Sequence, residues 1–434
     1  KVAVTVYAGG LVFQQVFGIK ELWGIDFFWI AAIGLVVLTA LYTIFGGMKP
    51  VLYTSVLQTP ILLLGSLIIL VLGFKELGGW DEMMRVCGAV TVNDYGDTMT
   101  NLIRSNDDAN FPWLGALIGS AIIGFWYWCT DQFIVQRVLS GKNEMEARRG
   151  TIFGAYLKLL PVFLFLIPGM IAFALHQKYI GAGGEGFLPM LENGTANADA
   201  AFPTLVAKLL PAGVKGLVVC GILAALMSSL ASLFNSSAML FTIDFYKRFR
   251  PQTSEKKLVG IGQVATVVIV ILGILWIPIM RSVGDVLYTY LQDVQSVLAP
   301  GIAAAFLLGI CWKRTSAQGG MWGLISGMVI GLTRLGAKVY YSNAGEVADS
   351  TFKYLFYDMN WLFFCGWMFL FCIIVVIVVS LATEAPTAEK IQGLVFGTAT
   401  KEQKASTRAS WNHWDIIHTV IILAITGAFY WYFW

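Results

Sequence analysis

Apolar runs of about twenty residues, the length that lets a helix cross a bilayer, recur from one end of this chain to the other. They lie near 2 to 17, 25 to 45, 51 to 74, 113 to 138, 151 to 176, 212 to 245, 257 to 280, 284 to 311, 318 to 341, 357 to 382 and 413 to 434. Such a pattern restricts the chain to folds whose solvent is lipid, and it predicts eleven spanning helices. Charged residues are 13% of the 434 and hydrophobic residues 57%, against about 25% charged in soluble domains. The predicted class is therefore an all-α polytopic membrane protein with the lipid bilayer as a partner. A net charge of +3 is too small to attract nucleic acid.

The remaining polar chemistry excludes several classes. Five of the six cysteines lie in or beside apolar runs and only Cys87 falls in a long polar loop, so no disulfide framework is expected. His176, His413 and His418 are scattered, which argues against a histidine metal or catalytic site. With no nucleophile–base arrangement and no cofactor motif, an enzyme is not expected.

Loop charge alternates. The loops 45 to 50, 137 to 150, 246 to 256, 312 to 317 and 383 to 412 carry Lys49, Arg137, Arg148, Arg149, Lys247, Arg248, Arg250, Lys313, Arg314, Lys401 and Arg408. The positive-inside rule makes them cytoplasmic. The opposite loop at 75 to 112 holds Glu76, Asp81, Glu82, Asp94, Asp97, Asp107 and Asp108 against Lys75, Arg85 and Arg104. The other long outer loop, 177 to 210, contains Asn193-Gly-Thr195, a sequon short enough to arise by chance. Loop 383 to 412 is polar and carries no readable motif. Because Lys1 opens straight into an apolar segment without start methionine or signal peptide, the sequence reads as lacking its N-terminal part.

Three polar constellations interrupt the apolar runs. In the run ending Gly124-Phe-Trp-Tyr-Trp-Cys-Thr-Asp131, helical spacing puts Gly124, Tyr127, Trp128 and Asp131 on one face. That stripe suits a small polar solute between helices, or else an aromatic belt at the water interface. Counting from Trp113, Tyr127 lies about 21 Å down its helix, roughly 10 Å above the inner edge of the hydrocarbon layer. Lys158, seven residues into the next helix, reaches about the same depth. It is either a donor to solute or a snorkelling cation. Pro161 and Pro168 in that helix predict a bend.

In the long run from 212 to 245, Ala225, Ser228, Ser229 and Ser232 share a face at i, i+3, i+4 and i+7. Paired hydroxyls beside a carbonyl suit a hard cation such as sodium, and small residues also suit close helix packing. The third constellation is Tyr290-Leu-Gln292-Asp-Val-Gln295, near the outer end of a helix expected to be interrupted at Pro300-Gly301. The Gln292 amide can both donate to and accept from hydroxyls.

These residues resemble the solute:sodium symporter family, close to its sodium/glucose cotransporter branch. The resemblance runs through the whole sequence and is strongest in three blocks. They are Trp126-Tyr-Trp-Cys-Thr-Asp-Gln132 with Val135-Gln-Arg137, Ala155-Tyr-Leu-Lys-Leu159 with Ile167-Pro-Gly-Met170, and Ala224 through Tyr246. It implies an inverted-repeat core of five plus five helices with additional C-terminal helices, alternating access and no chemical step. On that pattern 1 to 74 is the remainder of the first repeat, from the end of core helix 3 through helix 5, and 75 to 112 an outer loop. Residues 113 to 311 are the second repeat, core helices 6 to 10, and 312 to 434 are peripheral helices with the cytoplasmic loop.

Matched position by position, the resemblance implies sugar ligands at Tyr127, Trp128, Lys158 and Gln292, with Tyr127 as an inner gate. It implies sodium ligands at Ala225 through its carbonyl and at Ser228 and Ser229 through their hydroxyls. Three departures qualify it: Ser55 stands where the family usually has aspartate, Ala231 where members with a second sodium site have threonine, and Gly124 where mammalian relatives have a threonine beside the sugar. One coupled sodium per sugar is therefore expected. The implied function is sodium-driven import of a glucose- or galactose-like sugar across the plasma membrane, or the inner membrane of a bacterium. Inositol, sialic acid or another organic solute, or a sodium- and sugar-responsive sensor on the same fold, are the alternatives. Further ligands are implied in two core helices preceding Lys1, so the sequence alone is not expected to transport.

Overall fold

A computed structural model describes residues 1–46, 48–191, 194–281, 287–344 and 348–433. Asn193 of the sequon and the first residues of the run expected at 284 lie outside the described residues, as does the Ser55 side chain.

Helix α1 (Val2–Phe17) stops at Gly18, whose φ of 66° lies in the left-handed region that glycine enters without a Cβ clash. A two-residue hairpin, Glu21–Leu22 against Ile25–Asp26, leads into α2 (Phe27–Gly46). There follow α3 (Met48–Leu77), α4 (Trp80–Gly88), α5 (Trp113–Phe125), α6 (Gln132–Leu139), α7 (Glu144–Pro161) and α8 (Ile167–Gly181). Next come α9 (Ala201–Leu209), α10 (Ala212–Met239), α11 (Glu255–Arg281), α12 (Leu287–Cys311) and α13 (Ala317–Asn343). The chain closes with α14 (Trp361–Ala382), α15 (Lys401–Ala409) and α16 (His413–Tyr432).

Among the described residues, 8 helical stretches are long and apolar enough to cross a membrane, and Val2–Phe17 and Phe27–Leu41 are shorter apolar helices. The one remaining expected span, α13, is helical throughout but carries Arg334 and Lys338 within it. Three regions read as loops contain helices: α4 within 75 to 112, α9 within 177 to 210 and α15 within 383 to 412. Helix α15 begins at a capping box, in which the Thr400 hydroxyl accepts from the Gln403 amide and the Gln403 side chain accepts from the Thr400 amide. Cys87, expected in a polar loop, is buried on α4 with its thiol 3.7 Å from the Met170 carbonyl. Nor does Pro300 interrupt its helix: α12 continues to Cys311.

The chain divides into two compact units. One comprises Lys1–Thr91, Thr98–Thr100 and Leu159–Arg281, and the other Val92–Asp97, Asn101–Lys158 and Ser282–Trp434. In the first, α10 packs on α3 where glycine leaves room, Gly65 receiving Val218 and Gly221 receiving Ile61. Ile69, Leu77, Ile171, Leu175 and Leu205 form its main core, and Val6, Phe28, Leu230, Phe234 and Ile277 a second one. His176 accepts from the Leu188 amide at 3.0 Å and pins the loop after α8.

The second unit is built on a close approach of α12, α13 and α14. Gly301 faces Gly327 backbone to backbone, and a Cβ added at Gly331 would stand 2.7 Å from the Val297 carbonyl oxygen. At the start of α14, Asn360 and Trp361 donate to the carbonyls of Ala109 and Asn110, which ties the loop before α5 to this bundle. The same loop is ordered by two carboxylates. Asp97 accepts from the Asn93 side chain at 2.8 Å and the Ser105 amide at 2.7 Å. Asp108 accepts from the amides of Asn110 and Phe111 and from Asn93.

The Asn93 and Ser105 bonds hold the Asp97 carboxyl below its ordinary range. Burial pushes Asp108 up, but the Phe111 and Asn110 amides, Asn93 and Arg104 together bring it below as well. Groups depressed in the fold stabilise it above their unfolded pKa, about 4, and that stability is lost as the pH falls through the folded values. Hydrogen-exchange protection of 93 to 111 should thus be full at neutral pH and collapse on strong acidification. Equal protection at both would dissociate loop order from these carboxylates. Separately, Gly331→Ala should destabilise the bundle by about 1–3 kcal/mol through overpacking, visible as a lower melting temperature in detergent. An unchanged midpoint would contradict the close approach.

Candidate functional site

The aromatic run does not continue α5 as a regular helix. Trp126–Thr130 form a wide π-turn in which the Asp131 amide and the Thr130 hydroxyl both bond the Trp126 carbonyl, at 3.0 and 2.7 Å. Asp131 then takes an extended conformation, ψ 117°, and caps α6 by accepting from the Phe133 amide. The stripe expected at α-helical spacing is therefore corrected. Wide-turn geometry ends the face shared with Gly124, and Asp131 serves a helix terminus.

What the turn does build is a ledge of aromatics. Trp126 is buried in one cluster with Ile122, Ile123, Ala299 and Trp361. Tyr127 and Trp128 meet edge to face, ring centroids 5.1 Å apart at 85°, an arrangement favoured by the ring quadrupoles. The Lys158 ammonium on α7 lies 5.6 Å from the centre of the Trp128 ring, within cation–π range. Trp128 is 51% exposed and Lys158 is also exposed. An apolar ring face, a phenol and an ammonium are thus presented together, a set that can stack on a sugar-like ring and donate to its hydroxyls.

Gln292 lies in the same unit on α12. At i+7 and i+11 from it stand Ala299 and Ala303, which pack in the cluster of Trp126 and Ile122, so Gln292 shares the stripe of α12 that faces the aromatic turn. Ala299 is seven residues on, about 10 Å along the helix. Among the described residues no hydrogen bond occupies the Gln292 amide. The fold brings Trp128 and Lys158 into contact and puts Tyr127 against Trp128. It aligns Gln292 with them by face and not by contact.

The hydroxyl-bearing face lies in the other unit. Helix α10 is unbroken from Ala212 to Met239, so Ala225, Ser228, Ser229 and Ser232 keep their common face. Ser228 and Ser232 are buried, and the Ser232 hydroxyl donates to the Ser228 carbonyl at 3.0 Å. Among the described residues the Ser229 hydroxyl makes no hydrogen bond, and the Ala225 carbonyl keeps a second lone pair beyond its helical bond. These oxygens fit a weakly held monovalent cation. No group of three or more histidine, cysteine, aspartate or glutamate side chains suited to a metal exists among the described residues.

One cluster went unread in the sequence. Asp293, beside Gln292, accepts from the Lys338 ammonium and lies 3.7 Å from Arg334, which is fully buried. The i, i+4 spacing of Arg334 and Lys338 within an apolar run was the available signal.

A family model described as the sodium:solute symporter family matches residues 1–327, a segment that includes Tyr127, Trp128, Lys158, Ala225, Ser228, Ser229, Gln292 and Asp293 but not Arg334 or Lys338. Sodium/myo-inositol cotransporter 2 of Homo sapiens is 36% identical over 92% of this chain and 60% of its own length. A sodium/mannose cotransporter of Bos taurus is 35% identical over 100% of this chain and 75% of its own. Sodium/glucose cotransporter 4 of Mus musculus is 35% identical over 92% of this chain and 59% of its own length. The chain thus spans 60% of the inositol cotransporter it matches. A solved Na+-coupled sialic acid symporter, substrate-bound and outward-open, superposes with a TM-score of 0.64 at 21% identity, over 89% of this chain and 75% of that one. That likeness is one of fold.

Proposed function

The chain belongs to the sodium:solute symporter family, and on that premise we propose that it is a sodium-coupled secondary transporter importing a compact cyclic polyol such as a hexose or an inositol. The observation that carries the reading is the contact of Lys158 with Trp128 beside Tyr127. An ammonium within a predominantly apolar helix is costly unless it meets a partner or a polar cavity. Here it meets an exposed indole, and together they offer stacking and hydrogen bonding to a hydroxylated ring. Relatives named for myo-inositol, mannose and glucose all carry solutes of that shape. Tyr127 closes the ring face as a gate, and Gln292 supplies an amide that reads hydroxyls as both donor and acceptor.

The coupling ion is one sodium, held by the Ala225 carbonyl and the Ser228 and Ser229 hydroxyls. Ala231, buried and without a hydroxyl, adds no side-chain oxygen for a second ion on that helix. One charge crossing 100 mV contributes about 2.3 kcal/mol, and a tenfold sodium gradient roughly 1.4 kcal/mol more. Together they support accumulation of a neutral solute by a few hundredfold. Coupling requires sodium and solute to favour the same conformation, so each raises the affinity for the other. No chemical step takes place.

The test is uptake of labelled glucose and myo-inositol by proteoliposomes holding the full-length protein, with an inward sodium gradient or with potassium in its place. Sodium-dependent accumulation is expected. Binding or current without accumulation would make the protein a sensor. Lys158→Ala should abolish uptake while leaving the melting temperature close to the parent's. Normal uptake would return Lys158 to snorkelling. Ser229→Ala should raise the half-saturating sodium concentration, by roughly tenfold for the loss of one ligand oxygen. A sodium response identical to the parent's would leave that face to helix packing.

A further inference from the structure

Asp293, Arg334 and Lys338 place three charges between helices of the second unit, where lipid-like surroundings make an ionic group expensive to keep. Arg334 donates to the carbonyls of Leu355 and Met359 at 3.3 and 2.7 Å, and its guanidinium stands 4.1 Å from the centre of the Phe364 ring. It is thus anchored independently of Asp293. Lys338 Nζ completes the pair with the Asp293 carboxylate.

The cluster continues a ladder between α12 and α13. Gly301 meets Gly327, Val297 meets Gly331, and one turn further Asp293 meets Arg334 and Lys338. Residues 293, 297 and 301 form one stripe at i, i+4 and i+8. Pro300 has no N–H, so the Ser296 carbonyl loses its helical donor. The Ser296 hydroxyl in turn bonds the Asp293 carbonyl at 2.6 Å. Helix α12 is therefore weakest between Asp293 and Pro300. On the Cys311 side of that point, glycine contacts fix its rotation. On the Leu287 side, Val297 meets Gly331 and the ionic cluster, one turn further out, adds the outermost tie to α13.

Gln292 is one residue from Asp293, about 100° around the same helix. We propose that Asp293 is a positioning residue: gripped by Lys338 and Arg334, it sets the rotation of the 287–299 half of α12 and so the direction in which Gln292 presents its amide to the solute. The assignment rests on the reading of Gln292 as a solute ligand, and it extends the solute site to three charges that never touch the solute.

The experiment is uptake kinetics of the full-length protein in proteoliposomes at a fixed sodium gradient, with tritiated glucose or, where glucose is not carried, tritiated myo-inositol. Asp293→Asn should raise the half-saturating solute concentration roughly tenfold, about one lost hydrogen bond, with the maximal rate and half-saturating sodium little changed. Asp293→Glu, which keeps the charge, should stay near the parent. Gln292→Ala should raise the same concentration, and the double variant should rise no further, because one residue acts through the other. If Asp293→Asn does not fold, Asp293→Asn with Lys338→Met removes both charges of the pair and serves in the same cycle. Additive effects, or a fall in maximal rate alone, would make the cluster a stabiliser of the fold and overturn the assignment. Parent-like kinetics in Gln292→Ala would instead remove the reading beneath it, and the assignment with it.

Discussion

Hydrocarbon offers no hydrogen-bond partner, so every backbone amide and carbonyl in a spanning segment must be satisfied by the chain itself. The departures from regular helix obey this. Where α-geometry lapses after α5, the Asp131 amide still finds the Trp126 carbonyl one residue further back than usual. Hydroxyls inside helices turn onto the preceding turn, Thr39 to Leu35, Thr43 to Thr39 and Ser232 to Ser228. Arg334 takes up the carbonyls of Leu355 and Met359. With little hydrophobic drive to press helices together in lipid, contact comes from shape, which is why glycines line the seams of α3 with α10 and of α12 with α13.

The positions of the helices were legible because length and apolarity are one-dimensional properties. Counting residues along consecutive helices brought Tyr127 and Lys158 to one depth, and in the fold the Lys158 ammonium lies over the neighbouring Trp128. The blocks around these residues resembled the family to which the chain proves to belong. Direction was less legible than depth. The stripe from Gly124 to Asp131 assumed a constant 3.6 residues per turn, and the wide turn broke that assumption. Pro300 signalled a break that tight packing against α13 does not permit. Cys87 has polar neighbours in sequence, but its own side of α4 faces the core. Arg334 and Lys338 are hidden in the average hydropathy of the apolar run around them.

The residues proposed for solute and for ion fall in different units of the fold, and they offer different chemistry. The proposed solute residues offer large aromatic area with few polar groups, which suits a ring whose hydroxyls must be counted one by one. The proposed ion residues offer neutral oxygens on one regular helix. Without a carboxylate among them, such a set would hold a monovalent ion only weakly.

The wide turn at Trp126–Thr130 has a counterpart at Val162–Leu166, directly after Pro161. A single π-turn is equivalent to one residue inserted into an α-helix whose hydrogen bonds have been redrawn around it. Removing a residue from such a segment would restore an ordinary helix with its backbone still bonded, yet turn everything beyond by about 100°. Chain length at these two places therefore works like a reading frame for side-chain direction: a deletion there would leave a membrane protein that inserts and folds, with its aromatic residues aimed at lipid.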